Sequence, residues 1–166
     1  MKNYLIYVSV ILITACSVPN YSFNGGKVHP DAKTISIAYF ENSSSLGPSN
    51  LGQTFTESLR DLFQSQTKLE LINGEGNLAY EGSITNYVVQ PIAIQSNQTA
   101  SQNRLTITVN VSYRSEVETG KDFEQNFTRF ADFNSSQNLS SVEGQLITEI
   151  FDQITQDIYN KTLGDW

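Results

Sequence analysis

The run Arg104–Val117 (RLTITVNVSYRSEV) alternates more strictly than any other stretch of the chain. Leu105, Ile107, Val109, Val111 and Tyr113 share one parity; Thr106, Thr108, Asn110, Ser112 and Arg114 share the other. A period of two is the signature of a strand, here with one dry face and one wet face. Such a strand belongs to an antiparallel sheet that is covered on one side only. The rest of the chain must therefore supply a single layer to cover that apolar face.

Two segments can do so. From Ser49 the apolar positions Leu51, Phe55, Leu59, Leu62 and Phe63 recur at helical spacing, with Ser49 after Pro48 as the expected cap and an end near Thr67. Near the C-terminus Ser140-Ser141-Val142-Glu143 has capping-box spacing and opens a helix whose stripe is Val142, Leu146, Ile147, Ile150, Phe151, Ile154 and Ile158. Further strands are predicted at Thr34–Phe40, with Ile35, Ile37 and Tyr39 on one face, at Leu69–Ile72, and at Leu78–Gln95 after the turn Asn73–Asn77. In the long strand Leu78, Tyr80, Ile84, Val88, Ile92 and Ile94 share a parity, Gly82 is a candidate bulge, and Pro91 marks an edge or bend. A hairpin turn at Glu118–Lys121 leads back into Asp122–Phe133. The expected fold is α+β, a two-layer sandwich of a mostly antiparallel four-stranded sheet and two helices in the order β-α-β-β-β-α, with room for one short extra strand.

The N-terminus sets the compartment. Lys2 precedes the mostly apolar Tyr4–Ile13, which is too short to span a bilayer as a permanent helix and is followed by small residues, the pattern of a secretory signal. Ile13-Thr14-Ala15-Cys16 resembles the bacterial lipobox, which implies cleavage before Cys16 and acylation of the sole cysteine. Several acyl chains, at ~0.8 kcal/mol per CH₂, anchor stably. By resemblance to lipoprotein sorting signals, Ser17 in place of Asp implies the outer membrane. The expected organisation is residues 1–15 as signal peptide, 16–33 as a lipidated tether carrying the solvated lone His29, and 34–166 as one domain facing the periplasm.

Catalytic parts are missing from the pattern. Cys16 is spent on the anchor, His29 lies in the tether where it cannot serve a serine triad, and no His/Cys ligand set for a metal exists. The glycines of Asn73–Asn77 lie between strands without a following helix, so they form no phosphate loop, and no carboxylate pair is singled out by spacing. The Asn-x-Ser/Thr triplets, such as Asn97-Gln98-Thr99, are compositional. A net charge of −7 argues against binding nucleic acid through its phosphates. The expectation is a chain that is not an enzyme and has no cofactor or metal. The segment Phe127–Phe133 (FTRFADF) leaves two readings open: Arg129 returns to water at a bulge or strand end, or Phe130 beside Arg104 and Arg114 forms an outward contact surface for a partner or a lipid.

In order and spacing, KTISIAYFEN, TFTESLRDLF, YEGSITNYVVQPIAI, NRLTITVNVSY, FTRFADF and SSVEGQLITEIFDQI resemble the LptE family of outer-membrane lipoproteins. The resemblance implies a plug that sits inside an LptD-type β-barrel, helps it fold and assists lipopolysaccharide delivery. Lipopolysaccharide is anionic and the acidic chain repels it, with salt limiting the reach to about a Debye length, ~8 Å, so direct lipid contact is expected only at a local basic patch. The first strand and helix also resemble CsgG-like and LpoB-like lipoproteins, which implies secretion or activation of a peptidoglycan synthase as an alternative. A lipid-carrier module with a cavity between its layers is a third.

Overall fold

In a computed structural model the described residues are 28–92 and 101–164, so Cys16, the signal, most of the tether, Ile94 and the connector after Ile92 lie outside them. The elements are β1 (Thr34–Ile37), β2 (Glu41–Asn42), α1 (Leu51–Gln66), β3 (Glu70–Leu71), β4 (Leu78–Ile92), β5 (Gln102–Ser115), β6 (Phe123–Asn134) and α2 (Leu139–Leu163).

The fold is α+β with two layers, and the sheet departs from the four-stranded, mostly antiparallel one expected. It has six strands and is mixed: the order is β3-β1-β4-β5-β6, with β2 paired to β4 beyond the end of β1. β1 runs parallel to both β3 and β4, and β2 parallel to β4; only β4-β5-β6 is antiparallel. The cause is α1, a helical crossover that carries the chain back to its starting end, so that β3 re-enters in the direction of β1.

Both helices cover the same face. The inward residues Leu105, Ile107, Val109, Val111 and Tyr113 of β5 are buried, as their alternation requires, against Leu51, Phe55, Leu59 and Phe63 of α1 and Ile150, Phe151, Ile154 and Ile158 of α2. A line of rings crosses the core: Phe40–Phe55–Phe151 meet edge to face at 5.0 and 5.1 Å, and Tyr159–Phe63–Tyr80–Tyr113 follow at 5.5, 4.9 and 5.0 Å. Each such pair adds about 0.5–1.5 kcal/mol beyond area burial.

Three local departures have one origin, an extra residue that flips parity. From Ile37 to Glu41 the edge advances four residues while β4, from Tyr80 to Ser83, advances three. Tyr39 is thereby turned out, 55% exposed, and Phe40 is turned in, its N–H donating to Thr56 Oγ1 at 3.0 Å. In β4 the register slips between Ile84 and Asn86, not at Gly82, so Tyr87 is buried where continued alternation would bury Val88. Gly82 stays in register opposite Val111, and its missing side chain permits a close approach, since a Cβ there would lie 2.0 Å from the Asn110 carbonyl oxygen. The caps shift too. Asn50, not Ser49, precedes α1 and makes no side-chain cap; Asn138, not Ser140, caps α2 and accepts from the Ser140 N–H at 3.2 Å.

Candidate functional site

Among the described residues no helix covers the other face of the sheet, and there the polar parity of β4, β5 and β6 stands in rows. Thr108 and Thr128 share a hydrogen bond at 2.9 Å, and Asn110 donates to Asn126 at 3.0 Å. Arg104 grips Asp132 with two parallel hydrogen bonds of 2.7 and 2.8 Å, and its guanidinium lies 3.5 Å over the ring of Phe130. Phe130, 47% exposed, stands opposite Thr106 on this face. Bidentate pairing and stacking are both special to arginine. The same contact holds the Asp132 carboxyl below the usual carboxylate range, chiefly through the hydrogen bonds from Arg104.

The anticipated surface is only partly assembled. Arg104 and Phe130 meet; Arg114 lies ten positions along β5, about 33 Å away at strand rise, beside Glu81 at 3.4 Å. Arg129 is on the opposite, helix side of β6. The β5–β6 register runs unbroken from Tyr113/Phe123 to Gln102/Asn134, so no bulge or strand end accounts for the exposure of Arg129, whose side chain is 46% accessible. It reaches Asp157 of α2 instead, with bonds of 2.6 and 2.8 Å. All three arginines therefore carry a carboxylate partner. Asp132, Asp157 and Glu81 carry no signal in the sequence: a register counted back from the Glu118–Lys121 turn sets Arg104 opposite Ser135, whereas the sheet sets it opposite Asp132. A second pair, unsignalled in sequence, is Tyr87, whose hydroxyl donates to Glu143 at 2.5 Å across the layers. Burial, then this carboxylate, pushes the Tyr87 phenol up.

His29, at the start of the described residues, is half-buried and accepts the Asp31 N–H at 3.3 Å. At the sheet's other end a groove of about 370 Å³ runs past Tyr39, Arg60, Glu81 and Arg114. Arg60 donates to the Ile37 carbonyl at 2.7 Å there. Among the described residues no group of three or more His, Cys, Asp or Glu side chains is placed to hold a metal, and no helix is long and apolar enough to cross a membrane.

A helix layer over one sheet face, with a ladder of short polar side chains on the other, defines a two-layer α+β module with one polar sheet face. The sequence profile of the LptE lipopolysaccharide-assembly family matches residues 32–162, and the chain belongs to that family. It is thus an LptE-like lipoprotein of lipopolysaccharide assembly and envelope biogenesis. No curated protein matches it in sequence. Among solved structures it is similar to a minor lipoprotein of Acinetobacter baumannii, at 14% identity and TM-score 0.52 over 78% of this chain and 91% of that one. It is also similar to a hypothetical protein of Chlamydia trachomatis, at 12% identity and TM-score 0.50 over 79% and 98%. A protein of Xanthomonas campestris gives 10% identity and TM-score 0.53 over 83% and 90%. At these identities the likeness is one of fold.

Proposed function

We propose that the chain is an acylated outer-membrane lipoprotein that plugs an LptD-type β-barrel from the periplasmic side and assists lipopolysaccharide assembly there. The observation that supports this is the uncovered polar sheet face, found on a member of the LptE family. A barrel lumen is polar and wet. A face whose rows are mostly Thr, Asn and Ser suits such a wall: it offers hydrogen bonds, and its arginines are matched by carboxylates, with Glu124 the exposed charge left over. In this reading residues 1–15 are the cleaved signal, Cys16 carries the acyl chains, 16–33 is the tether and 34–166 is the plug. The anchor raises the effective concentration beside the barrel without adding a contact. Nothing in the role asks for a catalytic group or a cofactor. Direct lipopolysaccharide contact is confined to the Arg104–Phe130 pair, since Arg114 and Arg129 are remote from it and engaged elsewhere.

The test is a pull-down of the tagged chain from detergent-solubilised membranes. A large β-barrel protein is expected to co-purify; recovery of a peptidoglycan synthase, or of no barrel, refutes the plug. For the anchor, Cys16→Ala should abolish outer-membrane fractionation, and undiminished partitioning of that variant would remove the basis for it.

A further inference from the structure

The two edges of the sheet are treated differently. On one, β3 is two residues long, and past its end Arg60 of α1 occupies the Ile37 carbonyl. Short edge strands and a charge on the edge are the usual means of stopping a foreign strand from adding. The other edge is β6. It has 12 residues, no proline, no lysine and no register break.

The hydrogen-bond phase of β6 can be fixed. Ser135 N–H donates to the Ser101 carbonyl, one step beyond the Gln102/Asn134 pair, and Glu116 N–H donates to the Asn77 carbonyl on the β4 side. Odd residues of β5 therefore bond to β6 and even ones to β4. It follows that the N–H and C=O groups of Glu124, Asn126, Thr128, Phe130 and Asp132 point away from the sheet, along an edge that no strand pairs among the described residues. Among those residues this row is closed at its end, where Asn134 N–H donates to Gln137. Beside the edge, between Gln125–Arg129 and the Asp157, Asn160 and Lys161 side chains of α2, lies an open groove of about 430 Å³. A strand added at the usual ~4.8 Å spacing has room there for its helix-side residues.

We infer that β6 is the docking edge for an extended segment of the barrel partner, which adds to the sheet as a seventh strand. This rests on the reading above that a barrel is the partner. A closed barrel wall has no free edge of its own, so the added strand comes from a loop or a terminal arm of the barrel protein. Its chemistry follows from the row it meets. Phe130 calls for an apolar or β-branched residue opposite. Glu124, exposed and without an ion-pair partner among the described residues, calls for a basic one. A second copy of this chain fits less well, since antiparallel pairing about Thr128 sets Glu124 opposite Asp132 on an already acidic protein.

The test is amide hydrogen exchange on the full chain, alone and co-purified with its barrel partner. The Asn126, Thr128 and Phe130 amides should exchange rapidly in the free chain and slow by at least ~100-fold in the complex. Unchanged exchange in an intact complex overturns the inference and leaves the plug standing; failure to form any complex overturns both. Slow exchange in a free chain of dimeric mass also overturns it, in favour of self-pairing. In parallel, Thr128→Pro removes an edge donor without breaking a backbone bond to β5, whereas Thr128→Val keeps that donor and loses the same side-chain hydrogen bond to Thr108. With both variants melting within a few degrees of the parent, Thr128→Pro should reduce barrel recovery at least ~10-fold relative to Thr128→Val.

Discussion

Gly82→Ala tests the placement of the β4 irregularity. Gly82 does not have a positive φ, so at an open bulge it would accept a methyl group, and replacing it there would raise stability by up to about 1 kcal/mol through the unfolded chain. The structure requires the opposite. The new Cβ would stand 2.0 Å from the Asn110 carbonyl oxygen and 2.8 Å from Cε1 of the Phe40 ring. Relief to an ordinary contact means moving β5 by more than 1 Å, roughly, against a strand spacing of ~4.8 Å. That lengthens one or two ladder hydrogen bonds, at about 1 kcal/mol each, and overpacks the Phe40 site, at about 1–3 kcal/mol. The expected loss is about 2–5 kcal/mol, which at ~2 kcal/mol/M lowers the urea midpoint by about 1–2.5 M. Gly144→Ala is the control. It lies in an exposed part of α2 with nothing within 4 Å of its would-be Cβ, and the change should stabilise by about 0.5–1 kcal/mol. If Gly82→Ala unfolds at or above the parent midpoint, the in-register assignment of Gly82 is refuted.

Asn138→Ala should cost about 1 kcal/mol, read from thermal or urea unfolding, because it removes the cap of α2; no change would mean the helix starts elsewhere. Burial raises the phenols of Tyr80, Tyr87, Tyr113 and Tyr159 above their ordinary value. The stability this gives is fully present below pH ~10 and is lost as the pH rises towards the folded values. Urea midpoints should therefore be flat towards pH 9 and fall beyond ~10, with four of the eight tyrosines ionising only in step with loss of circular dichroism. Tyrosinate absorbance from more than four tyrosines without unfolding would contradict the buried placement. Tyr87→Phe keeps the ring but strips Glu143 of its donor, and a loss of about 1–2 kcal/mol is expected; a neutral result would assign Tyr87 to packing alone.

Period-two and helical spacing in the sequence are enough to locate both helices and the β4-β5-β6 meander, because each is long and covered on one face. What they leave undetermined is set by neighbours. Whether β1 pairs with β3 in parallel depends on the direction in which α1 returns the chain, a matter of connectivity that no residue pattern in β1 records. Tyr39, Phe40 and Tyr87 are misplaced by alternation because a single extra residue reverses every side chain after it. That residue is recognisable only against the partner strand. Gly82 offered a plausible bulge, yet its smallness serves a close approach of Asn110 and Phe40.

The same distinction governs the arginines. In sequence Arg104, Arg114 and Arg129 are three cations available to an anionic lipid. In the fold each is held by a carboxylate from another element: Asp132 on β6, Glu81 on β4 and Asp157 on α2. A phosphate that recruited Arg104 would have to displace a bidentate partner already in place, and would bring its own charge beside Asp132. At a largely exposed site such an exchange gains little, because pair energies there are small on both sides. Attraction of bulk lipid is therefore a weak use of this face. Its rows of matched hydroxyls and amides, neutral and already cross-bonded, are better suited to lying against another polar protein wall, with the open β6 edge left to fix the register between the two.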